Sequence, residues 1–283
     1  MVTVLSSFMG CDPNVELENI APEKLLAVSA FISPQDTLFK VFVYRGIPLG
    51  STVNIDSAAV KDALVTISDG IKYDTLFLNY ETHPVTGVRS YRYTGKKKNV
   101  MVTTHSTYFL NVQTPSGESA KAECTIPPAP GKPAVSGVKD NNDYRFLVNW
   151  RNDSLYKYFI LILDAEGQYE SITPIGTYRN HLQPSFLEHI LFPSDAQILD
   201  NSYEAILQNA YLAENPVLKV SVRNIEEGLF KYFKSYQHYD DWDTNNSGNI
   251  FPNFQEMPLI YSNINGGVGI FGSYNESSMQ LEL

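Results

Sequence analysis

From Leu25 onward the chain alternates apolar and polar residues in short runs separated by turn residues. LLAVSAFI ends at Ser33-Pro34-Gln35-Asp36, TLFKVFVY follows, and later runs are ALVTISD, TLFLNY, VRSYRY, TYFLNVQT and SAKAECTI. Alternation with period two puts successive side chains on opposite faces of a strand, and turn signals about every ten residues suit a sandwich of antiparallel strands. Pro115-Ser116-Gly117-Glu118 reads as a tight turn between the last two runs. Residues 25–126 are therefore predicted to form an N-terminal β-sandwich, with Cys124 an ordinary strand residue.

Pro127-Pro128-Ala129-Pro130-Gly131-Lys132-Pro133 is too rich in proline to pair in a sheet, which predicts a stiff linker over 127–134 and a C-terminal β-rich domain over 135–283. That domain opens with the run Tyr144 to Trp150 and, after a polar turn, the run Tyr158 to Leu163. The pair resembles the B and C strands of a fibronectin type III domain, with Trp150 as a core residue. Leu218 to Val222 reads as another strand. Glu226 to Tyr239 reads as a helix, because Leu229, Phe230, Phe233 and Tyr236 line one face. Residues from Thr173 to Pro216 carry little pattern and read as a long insertion. The expected fold class is mainly β: two antiparallel, immunoglobulin- or fibronectin III-like sandwiches, the second with the insertion and one helix.

Composition supports the β reading, since 18 Tyr and 15 Phe accompany 17 Gly and 16 Pro in 283 residues. A net charge of −10 repels a phosphate backbone, so no nucleic acid partner is expected. Lys96, Lys97 and Lys98 follow Gly95 and read as the solvated tip of a hairpin. Two cysteines, Cys11 and Cys124, provide neither a disulfide framework nor a zinc-ligand spacing.

Cys11 stands in another context. Met1 to Gly10 read MVTVLSSFMG, an apolar run without Lys or Arg that ends in a small residue directly before the cysteine. This is read as the remnant of a lipoprotein signal, with Cys11 the lipidated residue and the polar, acidic stretch 11–24 a tether. The alternative is a first strand over Val2 to Met9 and a free thiol at Cys11. No later segment holds the ~20 apolar residues that a membrane-spanning helix needs.

Near the end stands Pro258-Leu259-Ile260-Tyr261-Ser262-Asn263-Ile264-Asn265-Gly266-Gly267-Val268-Gly269-Ile270-Phe271-Gly272-Ser273-Tyr274. Ser262 to Tyr274 is predicted to be a kinked closing strand, with Asn263 bonding nearby backbone and glycines admitting close approach of another chain segment. The alternative makes Gly266, Gly267 and Gly269 a flat contact face for a partner protein. The motif, together with Phe31-Ile32-Ser33-Pro34, the Ala63-Val65-Thr66-Ile67 strand, Thr125-Ile126-Pro127 and Trp150, resembles a Bacteroidota lipoprotein family catalogued as domain of unknown function 4249. The resemblance implies an exported outer-membrane lipoprotein, surface-facing, beside a TonB-dependent transporter and acting as its accessory or binding subunit, without enzymatic activity of its own. A self-standing glycan- or peptide-binding module, using aromatic residues exposed between the domains, is the second reading, and a glycan hydrolase is the third.

Candidate chemistry is sparse. Asp243 to Ile250 matches the opening of a calcium loop, with Asp241, Asp243 and Asn245 as ligands, but Phe254 stands where the bidentate Glu belongs; no other cofactor is expected. There is no Gly-x-Ser-x-Gly, and the five histidines show no zincin or triad spacing. Four Asp-Ser/Thr-small/apolar triplets predict O-glycosylation at Thr37, Ser57, Thr75 and Ser154.

Overall fold

A computed structural model of the chain describes residues 25–46, 55–82, 87, 89–140, 143–151, 158–165, 167–168, 171–174, 182–184, 190–193, 200–208, 211–212, 217–246 and 258–282. Cys11, Ser154 and the 1–24 signal and tether lie outside them. The elements of the first half are β1 (Leu26–Ile32), β2 (Leu38–Arg45), α1 (Ile55–Ala58), β3 (Leu64–Ser68), β4 (Tyr73–Thr82), β5 (Arg89–Lys96), β6 (Thr107–Gln113) and β7 (Ser119–Thr125). After the proline segment come β8 (Ala134–Asp140), β9 (Asp143–Arg151), β10 (Phe159–Ala165), β11 (Gly167–Gln168), β12 (Ser171–Pro174), β13 (Leu182–Pro184) and β14 (Ile190–Pro193). The last are β15 (Asp200–Gln208), β16 (Tyr211–Leu212), β17 (Val217–Ile225), α2 (Glu227–Asn246) and β18 (Gly267–Glu282).

The fold is mainly β, and its largest sheet has the order β13-β14-β10-β17-β18-β1-β2-β5-β4-β3-β6-β7. A four-stranded sheet, β12-β15-β9-β8, and the pair β11-β16 complete it. The alternation in β1 and β2 is realised as buried and less buried residues in turn. Their inward residues Val28, Ile32, Phe39 and Val41 meet Ile67, Leu76, Tyr108, Leu110 and Cys124 in one core. Burial of each such side chain contributes about 1.5–3 kcal/mol relative to exposure. The 115–118 turn forms as predicted, with Gly117 at φ 92 and its N–H donating to Thr114 O at 3.0 Å. Trp150 is buried, and β9 and β10 stand in different sheets.

Four expectations need correction. The strands are not antiparallel throughout: β1 pairs β18 in parallel, from Leu26↔Gly267 to Ile32↔Ser273. The stretch read as an insertion supplies strands to both sheets, since β15 pairs β9 and β14 pairs β10. Its strands are too short, or too evenly polar, to show period two in the sequence. Lys97 is not a solvated tip; it is half-buried, its Nζ donates to Ser33 O at 2.6 Å, and burial lowers its pKa. The proline segment is not a free spacer. Proline has no N–H, yet its carbonyl still accepts, and Asn275 Nδ2, Asn224 Nδ2 and Ser277 Oγ donate to Pro127 O, Pro128 O and Pro130 O at 3.1, 3.0 and 2.8 Å.

The closing motif explains how the halves are joined. Asn265 exchanges two backbone hydrogen bonds with Lys121 of β7, at 2.8 and 2.7 Å. Gly267–Ser273 then pairs with β1, and Tyr274–Glu282 pairs antiparallel with β17. One segment thus bridges the β7 and β1 edges and splices the second half of the chain onto the first. A Cβ on Gly266 would collide with Ser119 O, on Gly267 with Leu26 O and on Gly269 with Val28 O. Gly266 and Gly269 also have φ of 82 and 116. Asn263 holds the bend as predicted, its Oδ1 accepting from Phe271 N and its Nδ2 donating to Phe271 O, both at 2.9 Å. The room that the partner-face reading assigns to another protein at these three glycines is filled by the chain's own backbone.

Helix α2 begins at Glu227 and lies on β18, where Gly272 leaves space for Leu229; a Cβ there would stand 2.9 Å from Leu229 Cδ1. Phe233 stacks on Phe31 with ring centroids 6.0 Å apart. The helix runs through Asn246 rather than stopping at Tyr239, so Asp241, Asp243 and Asn245 stand on helical backbone instead of in a calcium loop. Residues 247–257, which hold the rest of that motif, lie outside the described set. Among the described residues no helix is long and apolar enough to cross a membrane.

Candidate functional site

The face of β2–β5 turned away from the core carries the most unusual surface among the described residues. Strand alternation sends Asp74 and Leu76 inward and Tyr73, Thr75, Phe77 and Asn79 to the other side. Tyr73 is 63% exposed and Phe77 70%, and Ile71 in the preceding turn is 91% exposed. Beside them on β5 and the next loop are Thr94, Gly95, Lys96, Lys98 and Asn99, and together these residues line a cleft of about 900 Å³. Large exposed apolar side chains grouped in one place mark a contact surface more often than scattered ones do.

Both rims of the cleft are pinned by an aspartate. Asp69 Oδ1 accepts from the N–H groups of Ile71 and Lys72 at 2.9 and 2.7 Å, which fixes the β3–β4 turn around Gly70 at φ 90. Those bonds, Lys72's first, also lower the Asp69 pKa. On the opposite rim, buried Asp74 accepts from the N–H groups of Lys98, Asn99 and Val100 at 3.1, 3.1 and 3.0 Å and from Asn99 Nδ2 at 2.9 Å. Three consecutive amide donors on one carboxylate hold a loop that no strand pairing would hold. The Asp74 carboxylate is therefore committed to backbone behind the cleft.

The outward charges are mostly positive, with the Asp69 carboxylate near Lys72. Lys72, Lys96 and Lys98 are exposed and form no ion pair among the described residues. Asn79 Nδ2 donates to Thr94 Oγ1 at 2.6 Å, which leaves Asn79 Oδ1 and the Thr94 hydroxyl hydrogen for a ligand. The triplet Asp74-Thr75-Leu76, singled out for glycosylation, is thus partly structural: Asp74 pins the rim, and Thr75 lies half-buried in the cleft floor. Thr37 and Ser57 are exposed.

Leu38 also lines a second hollow of about 340 Å³, under α2, walled by Phe31, Phe42, Leu229, Phe233 and Tyr274. Its mouth is polar but paired. The Tyr274 hydroxyl donates to Asp36 Oδ1 at 2.9 Å, and Arg223 lies over the Tyr274 ring while its Nε donates to Glu276 at 2.6 Å.

Burial raises the Tyr274 hydroxyl pKa there, and it also shifts two groups in the seam where β18 joins the halves of the chain. Burial raises the Cys124 thiol well above its usual value, so it stays protonated and unreactive. Glu226, between β17 and α2, is raised to about 7 by burial, against the lowering bonds from the Thr125 backbone and Ser273. Its N–H donates to Ser273 O at 3.0 Å, and Ser273 Oγ reaches Thr125 O at 2.7 Å. Among the described residues no group of three or more His, Cys, Asp or Glu is arranged to hold a metal ion.

The sequence reading looked for exposed aromatics between the domains and missed Tyr73 and Phe77. The signal was present: in TLFLNY, Leu76 and Leu78 alternate with Phe77, so both faces of one strand are apolar. A family profile described as Domain of unknown function (DUF4249) matches residues 12–280. None of the curated proteins matches the chain.

Proposed function

The chain belongs to the domain of unknown function 4249 family, and we propose that it is a non-catalytic binding subunit, anchored by lipid through Cys11 to a bacterial outer membrane and serving a TonB-dependent transporter. The observation that carries the binding role is the β4 cleft, where Tyr73 and Phe77 stand exposed beside three exposed lysines on rims that are already fixed. Preformed rims spare a ligand the cost of ordering them, which is how a rigid scaffold gains affinity. The anchor rests on the small residue Gly10 before Cys11 and on the apolar run that precedes it. Two acyl chains on one cysteine give stable attachment, since each buried CH₂ contributes about 0.8 kcal/mol.

The test is purification of the native protein from membranes in mild detergent. A large barrel protein is expected to co-purify, and Cys11→Ala is expected to move the chain to the soluble fraction and abolish palmitate labelling. Recovery of the chain alone, in repeated preparations, would remove the transporter from the proposal. Intact-mass measurement of the same material reads the glycosylation expected at Thr37, Ser57, Thr75 and Ser154.

A further inference from the structure

We infer that the β4 cleft is a binding site for an acidic oligosaccharide, a chain of sugars carrying carboxylate or sulfate groups. The inference deepens the binding role just proposed and rests on the same cleft. Three properties set the ligand class. First, Tyr73 and Phe77 are four residues apart on one strand face, so at about 3.3 Å per residue their rings stand roughly 13 Å from each other. Flat apolar rings at that distance suit the C–H faces of sugars along an extended chain.

Second, the polar groups beside Phe77 suit hydroxyls. Thr94 stands opposite Phe77 on β5 and Asn79 follows it on β4; Asn79 Oδ1 accepts from a sugar hydroxyl, and the Thr94 hydroxyl, which accepts from Asn79 Nδ2, still has its hydrogen to donate. Third, the local charge is positive in balance. The chain carries −10 overall, yet Lys72, Lys96 and Lys98 line the cleft against two acids, Asp69 in the turn beside Lys72 and Asp74, which is buried on the inward face. A neutral glucan leaves the excess ammonium charge unmatched, whereas uronate or sulfate groups match it.

An acidic peptide is the closest rival, because peptides dock on sheets chiefly by adding a strand to an open edge. Among the described residues β4 pairs β3 over Tyr73–Leu76 and β5 over Phe77–Thr82, so each half of the strand keeps one side without a ladder partner. The ring spacing favours sugars, and polyglutamate measures the rival directly.

The experiment uses the full chain carrying Cys11→Ala and titrates it calorimetrically at low salt with short oligogalacturonate, a heparin oligosaccharide, a neutral cello-oligosaccharide, polyglutamate and oligothymidylate. At least one of the two acidic oligosaccharides is expected to bind at least about tenfold tighter than the neutral one, polyglutamate and oligothymidylate, and to weaken as salt screens the lysines. Phe77→Ala is expected to lower that affinity by about tenfold or more, the loss of one well-covered ring, while Phe77→Tyr restores it. Binding of neither acidic oligosaccharide, or binding of polyglutamate or oligothymidylate as tight as theirs, overturns the inference. Co-purification of a barrel protein without sugar binding overturns this inference alone; sugar binding without co-purification overturns the transporter role alone.

Discussion

Along the seam, Asn224, Ser273, Asn275 and Ser277 each give a hydrogen bond to a carbonyl of the Thr125–Pro130 stretch. Around the outer face of β4, three lysines and two aromatic rings are exposed, and none of these side chains is matched to a backbone carbonyl among the described residues. Both regions are built on strands. In the seam, polar groups are matched within the chain, and glycines let backbone meet backbone. In the cleft, matching stops at the rims, where Asp69 and Asp74 are used up, and the remaining side chains are left for something else. Internal matching marks the region that holds the fold, and its absence on a rigid support marks the region that binds.

Substitutions can break that division or sharpen it. The largest effect is expected from Gly269→Ala, which puts a Cβ against Val28 O at φ 116. It should cost on the order of 4 kcal/mol in urea unfolding, through strain and loss of the β1–β18 pairing. Asp74→Ala should cost about 3 kcal/mol, because it orphans the amides of Lys98, Asn99 and Val100. It is the one change expected to cross the division, since it also loosens a cleft rim, which hydrogen exchange of residues 97–100 would read.

Glu226 gives a smaller, pH-dependent effect. Its carboxyl holds a proton more tightly folded than unfolded, so its favourable contribution is complete below about 4.5 and lost as pH rises through about 7. Glu226→Gln should therefore flatten the fall in stability between those values, by on the order of 2 kcal/mol, in melts across that range. An unchanged slope would mean that the seam tolerates the charged form. Phe77→Ala should lie at the bottom of the series, within about 0.5 kcal/mol of the parent. A large loss of stability there would show that β4's outer face belongs to the fold after all.

The strands of the first half were legible because they follow simple alternation, as LAVSAFI and TYFLNVQT do, and their burial obeys it. Trp150 and the start of α2 were legible for the same reason: one face of each is plainly apolar. Parallel pairing of Leu26–Ile32 with Gly267–Ser273 was not, because nothing local in either segment encodes a partner some 240 residues away. The glycines announced a close approach without saying to what. The cleft was hidden because Asp74 looks in sequence like any surface acid, and only the fold shows it buried beneath residues 98–100 while Lys96 and Lys98 stay at the surface.

The position of β18 also governs the order in which the molecule can be finished. β1 is made some 240 residues before the segment that covers its edge. Until that segment emerges, a nascent chain carries an open strand edge that invites pairing with a neighbour. Completion waits on a contact between segments some 240 residues apart, which slows closure and favours a state that helper proteins can hold unfolded.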